Sequence, residues 1–431
     1  MRRNKIDIVS LGCSKNLVDS EHLMRQLQAA GYSVAHNSDR IDGETVVVNT
    51  CGFIADAQQE SINTILQLGE AKRQGKIRNL IVMGCLAERF RADLIEALPE
   101  VDRFYGKFDW KGMLHDLGHA YRDDLAHERC LTTPPHYCYM KISEGCNRFC
   151  AFCAIPLITG RHTSVPMQQL LDEVTRLAQS GVKEFNVIAQ DLSSYGLDLT
   201  GQMMLPELID RMADIEGVEW IRLHYAYPTQ FPYGILPVMA SRDNVCTYLD
   251  IALQHISDKV LSNMRRHITR GETLNLLERL RQEVPGIHIR TTLMVGFPGE
   301  GDSEFDELMD FTRQARFERM GAFAYSEEAG TWAAQHLDDN IPQEVKQQRL
   351  QQLMALQEEI SMEIQESKVG QTLRVIVDRE EDEYYVGRTQ WDSPEVDPEV
   401  LIAKEKPLAI GEFAQVHITQ ALPFELMGKA L

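Results

Sequence analysis

Three cysteines on one short segment carry the strongest chemical signal in the sequence. They are Cys146, Cys150 and Cys153, separated by spacers of three and two residues. Thiolates at this density can bind three irons of a cubane iron–sulfur cluster, which normally takes four cysteines. The iron without a cysteine stays open to another ligand. A zinc site is the alternative, because His162 could complete a set of four ligands.

Three further cysteines each follow a predicted strand in the N-terminal region. Cys13, Cys51 and Cys85 are 38 and 34 residues apart, and each gap is close to the length of one strand–helix unit. Ligands of open parallel sheets bind beyond the carboxyl ends of the strands, so we expect these thiols at one sheet edge. Buried structural cysteines are the alternative, and the equivalent positions favour a second three-cysteine cluster. The other three cysteines are predicted to be free thiols: Cys130, Cys138 and Cys246.

Alternating strand and helix patterns predict the elements that position Cys13, Cys51 and Cys85. Residues 1–125 contain apolar, β-branched runs separated by amphipathic segments. Continuous apolar strands of this kind are typical of a doubly wound parallel sheet with helices on both faces. The predicted strands are 5–11, 45–49 and 80–83, and the predicted helices are 19–30, 55–73 and 88–98.

A second alternating series predicts the domain that holds Cys146. It occupies residues 132–365 and begins beside Pro134 and Pro135, a pair that stops helices and central strands. Six βα units predict an open or closed α/β barrel of the TIM type, whose chemistry lies at the carboxyl ends of the strands. The predicted strands are 137–143, 184–189, 220–225, 248–253, 288–295 and 319–325, and the predicted helices include 168–179, 273–282 and 342–368.

The last segment, residues 368–431, changes to short strand patterns separated by turns. Strands are predicted at 372–377, 384–389 and 413–418. Short strands with frequent turns are typical of a small all-β barrel. The sequence therefore predicts three domains: 1–125, 132–365 and 368–431.

Composition excludes some classes of function. The 431 residues carry 64 acidic and 44 basic side chains, a formal net charge of −20. Such acidity disfavours a general nucleic-acid binder and suits a basic partner. The sequence shows neither a secretory h-region nor an apolar window long enough to cross a bilayer. We therefore expect a cytoplasmic protein that does not act at a membrane.

These motifs together resemble the radical S-adenosylmethionine methylthiotransferase family. The resemblance rests on the Cys146-x3-Cys150-x2-Cys153 signature with Phe152 before the last cysteine, on the N-terminal cysteine triad and on the C-terminal β-module, and it covers essentially the whole chain. It implies a TRAM-like barrel at 368–431 and two [4Fe–4S] clusters. One cluster, on Cys146, Cys150 and Cys153, would bind S-adenosylmethionine through its open iron. The other, on Cys13, Cys51 and Cys85, would supply sulfur, and a low-potential donor such as flavodoxin or ferredoxin would supply electrons.

Further contacts to S-adenosylmethionine are suggested on the same face of the barrel. Gln190 and Asp191 follow a predicted strand, and Phe152 lies within the cysteine loop. Gly296 belongs to a stretch, residues 294–300, that resembles the glycine-containing segment near adenine in radical barrels. Packing of the barrel alone is the alternative reading for each of these positions.

Two branches of the resembled family compete. One modifies an adenosine in tRNA, and the other modifies the β-carbon of an aspartate in small-subunit ribosomal protein number twelve. The segments 10–20, 49–54 and 139–146 resemble the second branch. The tail agrees, because 368–431 holds 7 basic and 12 acidic residues, whereas a module that grips tRNA should be basic. The tRNA enzyme is the alternative, and a zinc-binding interaction protein is a third, more distant reading.

Overall fold

A five-stranded parallel sheet forms the N-terminal part of the protein, in a computed structural model that describes residues 2–431. The strand order is β2-β1-β3-β4-β5. Its strands are β1 Arg2–Ser10, β2 Ser33–His36, β3 Gly43–Thr50, β4 Asn79–Gly84 and β5 Arg103–Phe104, and its helices are α1 Ser14–Ala29, α2 Ala55–Arg73, α3 Cys85–Ala97 and α4 Trp110–Asp116.

Both faces of this sheet are buried. Val46 and Val48 on β3 pack with α2 and α3 on one face, while Val47 packs with α1 and α4 on the other. Successive strand side chains point to opposite faces, so a strand covered on both sides needs a continuous apolar run. The predicted doubly wound sheet is confirmed. The short strands β2 and β5 were not predicted, since they are too short and too polar to form such a run.

The central domain is an open, parallel, six-stranded α/β barrel. Its main strands lie in chain order across the sheet, β6-β9-β10-β11-β12-β13. These are β6 Tyr137–Lys141, β9 Glu184–Ile188, β10 Trp220–Ala226, β11 Val245–Ile251, β12 His288–Val295 and β13 Arg319–Ala324, with a small antiparallel pair, β7 Ser143–Glu144 and β8 Thr163–Ser164. The helices are α5 Ile155–Thr159, α6 Met167–Gln179, α7 Leu197–Thr200, α8 Leu205–Ala213, α9 Ile235–Ser241, α10 Asp258–Asn263, α11 Arg270–Glu283, α12 Asp302–Ala315, α13 Trp332–His336 and α14 Gln343–Glu366.

The C-terminal segment forms a closed five-stranded barrel in the order β14-β15-β16-β18-β17. Its strands are β14 Thr372–Glu380, β15 Tyr384–Thr389, β16 Glu399–Ala403, β17 Phe413–Leu422 and β18 Glu425–Ala430. The predicted all-β module is confirmed. Two of its strands were not predicted, because prolines surround β16 and Gly428 interrupts the apolar pattern of β18. Within residues 2–431, no helix has the length and apolar character needed to cross a membrane.

The C-terminal barrel packs against the amino ends of the central strands through buried ion pairs. Arg388 on β15 donates to Glu184, the first residue of β9, at 2.7 and 3.0 Å, and to Asp378 at 2.6 and 2.8 Å. Arg319, the first residue of β13, pairs with Asp392. Removing one partner of a buried pair leaves an uncompensated charge, which costs about 3–5 kcal/mol. These pairs therefore fix how the two barrels meet.

The ionised carboxylates at this contact should make the stability of the fold decrease in acid. Burial alone would raise the pKa of Asp392, but Arg319 and Lys368 hold it at about 2. Burial alone would also raise the pKa of Asp378, but Arg388 and His136 hold it at about 2. Both values lie below the usual ~3.9 of an unfolded aspartate. Each ionised group therefore stabilises the fold fully above about pH 5, by about 2–3 kcal/mol, and this contribution is lost as the pH falls toward about 2.

We predict that Asp392→Asn lowers the free energy of unfolding at pH 7 by about 3 kcal/mol, because Arg319 loses its buried counter-charge. The variant should also lose part of the pH dependence between about pH 5 and pH 2. Acid unfolding followed by the fluorescence of Trp220 and Trp391, which lie at this contact, measures both effects. Asp310→Asn, which alters an exposed pair within α12, is the matched control. An Asp392→Asn profile that matches wild type at every pH would contradict the assignment.

Candidate active site

A cavity of about 370 Å³ lies between the N-terminal sheet and the central barrel, and all six predicted cluster cysteines line it. The first set follows strands β1, β3 and β4, and the second follows the small strand β7. The carboxyl ends of the two parallel sheets therefore face each other across one space. The three other cysteines are not among the lining residues: Cys138 and Cys246 are buried within β6 and β11, and Cys130 is half-buried beside Gln28.

Glycine lets the N-terminal cysteine loops approach each other. Gly12 has φ +88°, and a Cβ there would lie 2.6 Å from the Cβ of Cys51. A Cβ on Gly52 would meet the backbone of Leu86 at 2.6 Å. Both distances are far inside van der Waals contact, so any larger residue would push these loops apart. The three thiols can face one space only because the loops that carry them lie this close together.

The second cysteine loop is held by polar contacts to the barrel. The Tyr227 hydroxyl lies 3.4 Å from Sγ of Cys150, and Nη1 of Arg266 lies 3.2 Å from the same sulfur. The Arg266 guanidinium also stacks on the Tyr227 ring, 4.1 Å from its centroid. These contacts fix the position of the Cys150 sulfur at the cavity wall.

The donor chemistry of the site suits iron–sulfur clusters. Burial raises the pKa of Cys146 and of Cys85 to about 12. It also raises the pKa of Cys51 and of Cys153. Such thiols ionise at neutral pH when a metal supplies positive charge. Each set provides three thiol donors, one short of the four that a cubane cluster normally takes.

Other protein donors are arranged differently. His162, the candidate fourth ligand of a zinc site, is not among the cavity-lining residues. Its Nε2 lies 3.1 Å from Oγ of Ser164 and 3.9 Å from Asp198. Across residues 2–431, no three His, Cys, Asp or Glu side chains are grouped closely enough to hold a single metal ion. The fit to a cluster thus rests on the donor types and the shared cavity, rather than on preformed coordination.

The four predicted cofactor contacts occupy different places. Phe152 and Gln190 line the cavity. Asp191 is buried behind it and accepts a 2.7 Å hydrogen bond from Nε of Arg148, which does line the cavity. Gly296 is not a lining residue; its N–H donates to Glu300 at 2.9 Å, and its Cα faces Lys346. The structure thus brings two of the four to the cavity directly and one through Arg148.

A buried cluster of four charges crosses the domain boundary beside the cavity. It consists of Asp19 on α1, Lys107 after β5, Lys141 on β6 and Glu144 on β7. Nζ of Lys107 lies 2.8 Å from Glu144 and 3.5 Å from Asp19, and Lys141 pairs with the same two carboxylates. Burial alone would lower the pKa of Lys107, but Asp19 and Glu144 raise it above the usual value. Conversely, the two lysines overcome burial and hold the pKa of Glu144 at about 2.

Several lining residues were not predicted from the sequence. They include Lys15, Lys107, Arg148, Tyr227 and Arg266. Arg148 could have been predicted, since it lies within the cysteine loop. Lys15 lies in segment 10–20, whose resemblance concerns the family branch and does not indicate a role for this lysine. Lys107 and Arg266 follow no motif, and only the tertiary fold brings them to the cavity.

Known families match three consecutive parts of the chain. Residues 5–106 match "Uncharacterized protein family UPF0004", residues 140–312 match the Radical SAM superfamily, and residues 369–431 match the TRAM domain. The Radical SAM match implies a [4Fe–4S] cluster and S-adenosylmethionine. The cysteine loop at Cys146 lies within this matched region.

Solved structures share the fold at low sequence identity. The radical S-adenosylmethionine methyltransferase TsrM from Kitasatospora setae aligns with a TM-score of 0.56 and 15% identity, over 74% of this chain and 72% of that one. The cobalamin-dependent radical enzyme OxsB aligns with a TM-score of 0.53 and 12% identity, over 82% and 56% of the two chains. These likenesses support the fold alone.

Full-length relatives are much more similar. The ribosomal protein uS12 methylthiotransferase RimO of Parabacteroides distasonis is 64% identical, and each chain is covered completely. The RimO proteins of Phocaeicola vulgatus and Christiangramia forsetii are 60% and 48% identical over all of this chain and 100% and 95% of theirs. The aligned lengths cover all three matched regions. The chain belongs to the RimO family of radical S-adenosylmethionine methylthiotransferases.

Proposed function

We propose that this protein adds a methylthio group to the β-carbon of an aspartate in ribosomal protein uS12. The observation that supports the proposal most directly is that two sets of three cysteines line one cavity of about 370 Å³. Replacing an unactivated C–H bond lies beyond acid–base side chains, so cofactors must carry that chemistry. The names of the relatives, which are uS12 methylthiotransferases over their full length, support this substrate.

We assign one cluster to each cysteine set. Cys146, Cys150 and Cys153 would hold the [4Fe–4S] cluster that binds S-adenosylmethionine, and Cys13, Cys51 and Cys85 would hold a second one. The first would supply the electron for reductive cleavage of bound S-adenosylmethionine, which releases methionine, and the second would supply sulfur. A low-potential flavodoxin or ferredoxin would be the electron source. The three units 1–125, 132–365 and 368–431 would act together in the cytoplasm.

The protein's own residues position the reactants and exclude water. Arg266 and Tyr227 contact Cys150 and orient its sulfur. Phe152 packs edge-to-face on buried Phe297, with ring centroids 6.1 Å apart, and presents an aromatic surface to the cavity. We propose Phe152 and Gln190 as contacts to S-adenosylmethionine. Asp191 would act by orienting Arg148, and Gly296 would shape the neighbouring strand end.

The charge of the protein supports a protein substrate over tRNA. The C-terminal barrel region 368–431 has 12 acidic and 7 basic residues. Its hairpin between β14 and β15 presents Glu381, Asp382 and Glu383 in sequence. Complementary potentials steer basic protein partners toward such a surface, whereas the tRNA backbone would be repelled by it. This favours the ribosomal protein, and tRNA remains the alternative substrate of the test below.

We predict that the two cysteine sets separate by function. Cys150→Ala should reduce cleavage of S-adenosylmethionine to background, because it removes a ligand of the cluster that binds this molecule. Cys51→Ala should retain cleavage and lose methylthiolation. Formation of 5′-deoxyadenosine and of modified peptide are measured in parallel, with Cys130→Ala as the control outside the cavity. Equal loss of cleavage in both cavity variants would refute the division.

The cofactor count provides a second prediction. Anaerobic reconstitution should load about eight irons per chain, corresponding to two cubane clusters. A triple alanine variant at Cys13, Cys51 and Cys85 should load about four. Iron and sulfide analysis together with Mössbauer spectroscopy measures the content. Wild-type protein that saturates at about four irons would show that only one set binds a cluster.

The substrate provides a third prediction. Incubation with S-adenosylmethionine and a reductant should add a methylthio group to isolated ribosomal protein uS12, detected by peptide mass spectrometry. Unmodified tRNA from a strain that lacks the corresponding tRNA enzyme is the parallel substrate. Modification of the tRNA, with the ribosomal protein left unchanged, would overturn the proposed function.

A further inference from the structure

The cavity contains a buried cation without an acidic partner. Lys15 is 8% exposed and lines the cavity. Across residues 2–431, no carboxylate oxygen lies within 4.0 Å of its Nζ, which instead sits 3.3 Å from the centroid of the Tyr225 ring. A cation–π contact offsets only part of the cost of removing an ammonium from water. Such a group is electrostatically suited to bind an anion.

The other cavity-lining lysine is in a different state. Lys107 is even more deeply buried, but its ammonium contacts both Asp19 and Glu144. The two carboxylates balance the charges of Lys107 and Lys141. Lys107 is therefore already paired and is less suited to bind an anionic ligand. Lys15 therefore provides the uncompensated lysine charge that faces this cavity.

Lys15 lines the cavity that both cysteine sets share. It is two residues after Cys13, in the first turn of the 16-residue helix α1, which has no acidic side chain in that turn. The positive end of the helix adds to the charge of the side chain. The ring beneath the Lys15 ammonium belongs to Tyr225, which has φ +61° near the end of β10. Tyr225 is two residues before Tyr227, which contacts Cys150. A non-glycine residue in this conformation is strained and persists where the surrounding structure requires it.

We propose that Lys15 is a specificity residue that binds the side-chain carboxylate of the target aspartate. This inference rests on the proposed function. The carbon to be modified is bonded directly to the carboxylate carbon, so an ion pair with Lys15 holds that carbon within the space between the two cysteine sets. The pair forms away from bulk water, where a charge-assisted hydrogen bond is strong and directional. It also distinguishes aspartate from its neutral amide.

An unpartnered acceptor in the cavity wall fits the same ligand. Oδ1 of Asn16, the residue after Lys15, is buried and has no hydrogen-bond donor among the described residues. Asn16 also lines the cavity. A peptide segment carries backbone N–H groups that can satisfy such an acceptor. A cation for the carboxylate and a neighbouring acceptor for the backbone match an aspartyl residue within a chain.

The test crosses enzyme variants with substrate variants. Peptides spanning the target site of ribosomal protein uS12, with aspartate or asparagine at that position, are titrated by fluorescence anisotropy into reconstituted protein. Wild type should bind the aspartate peptide about 10- to 100-fold more tightly than the asparagine peptide, the range expected for a charge-assisted hydrogen bond. Lys15→Gln should bind both peptides equally, and Lys15→Arg should restore much of the preference. Lys111→Gln, at an exposed position on α4, is the control.

Cleavage of S-adenosylmethionine separates the possible outcomes. Lys15→Gln should form 5′-deoxyadenosine, in the absence of peptide, at the wild-type rate and with the wild-type KM. A raised KM would assign Lys15 to the carboxylate of S-adenosylmethionine and overturn the inference. An unchanged preference for aspartate in Lys15→Gln would also overturn the inference. In either case, methylthiolation of the ribosomal protein by the wild-type enzyme would still support the proposed function. If wild type modifies no aspartate at all, the proposed function itself fails.

Discussion

The arrangement of the active site depends on the buried charge cluster formed by Asp19, Lys107, Lys141 and Glu144. Two of these residues belong to the N-terminal domain and two to the central domain, and each lysine contacts one carboxylate from each domain. A buried ion pair contributes little net stability compared with apolar packing, but it penalises any arrangement that separates its members. The cluster thus acts mainly on geometry. It holds the carboxyl ends of two parallel sheets against each other, so that both sets of cysteines face one cavity.

The sequence contained enough information to predict each domain and little about how the domains meet. The strands β3, β9 and β12 were predicted to within two residues because local patterns specify them. The placement of Cys13, Cys51 and Cys85 on one sheet edge followed from their repeated position after strands. Strand β18 was missed because Gly428 weakens its pattern, and its pairing with β16 joins distant segments.

The cavity wall was harder to predict than the cysteines because its polar residues are brought together by tertiary contacts. Arg266 reaches Cys150 across 116 residues, and Lys107 reaches Glu144 across 37. Neither has a local motif, since an arginine or lysine on a helix or loop is usually a solvated residue. Asp191 was predicted to bind the cofactor, and the structure shows it pairing with Arg148. Spacing along a chain can thus identify ligands that share a loop, whereas it carries no information about partners supplied by another element.

The polar interior of the central barrel links its two ends. Asp397 from the C-terminal segment lies 3.3 Å from Arg290, and Arg290 lies 3.5 Å from Asp250. Asp250 in turn accepts a 3.4 Å hydrogen bond from the backbone of Tyr225, on which Lys15 rests. An open six-stranded barrel cannot bury these charged groups without partners, because each would lose its hydration. The C-terminal barrel supplies those partners from the amino ends of the strands. Its docking therefore supports the strained backbone at Tyr225 and, through that residue, the platform beneath Lys15 in the cavity.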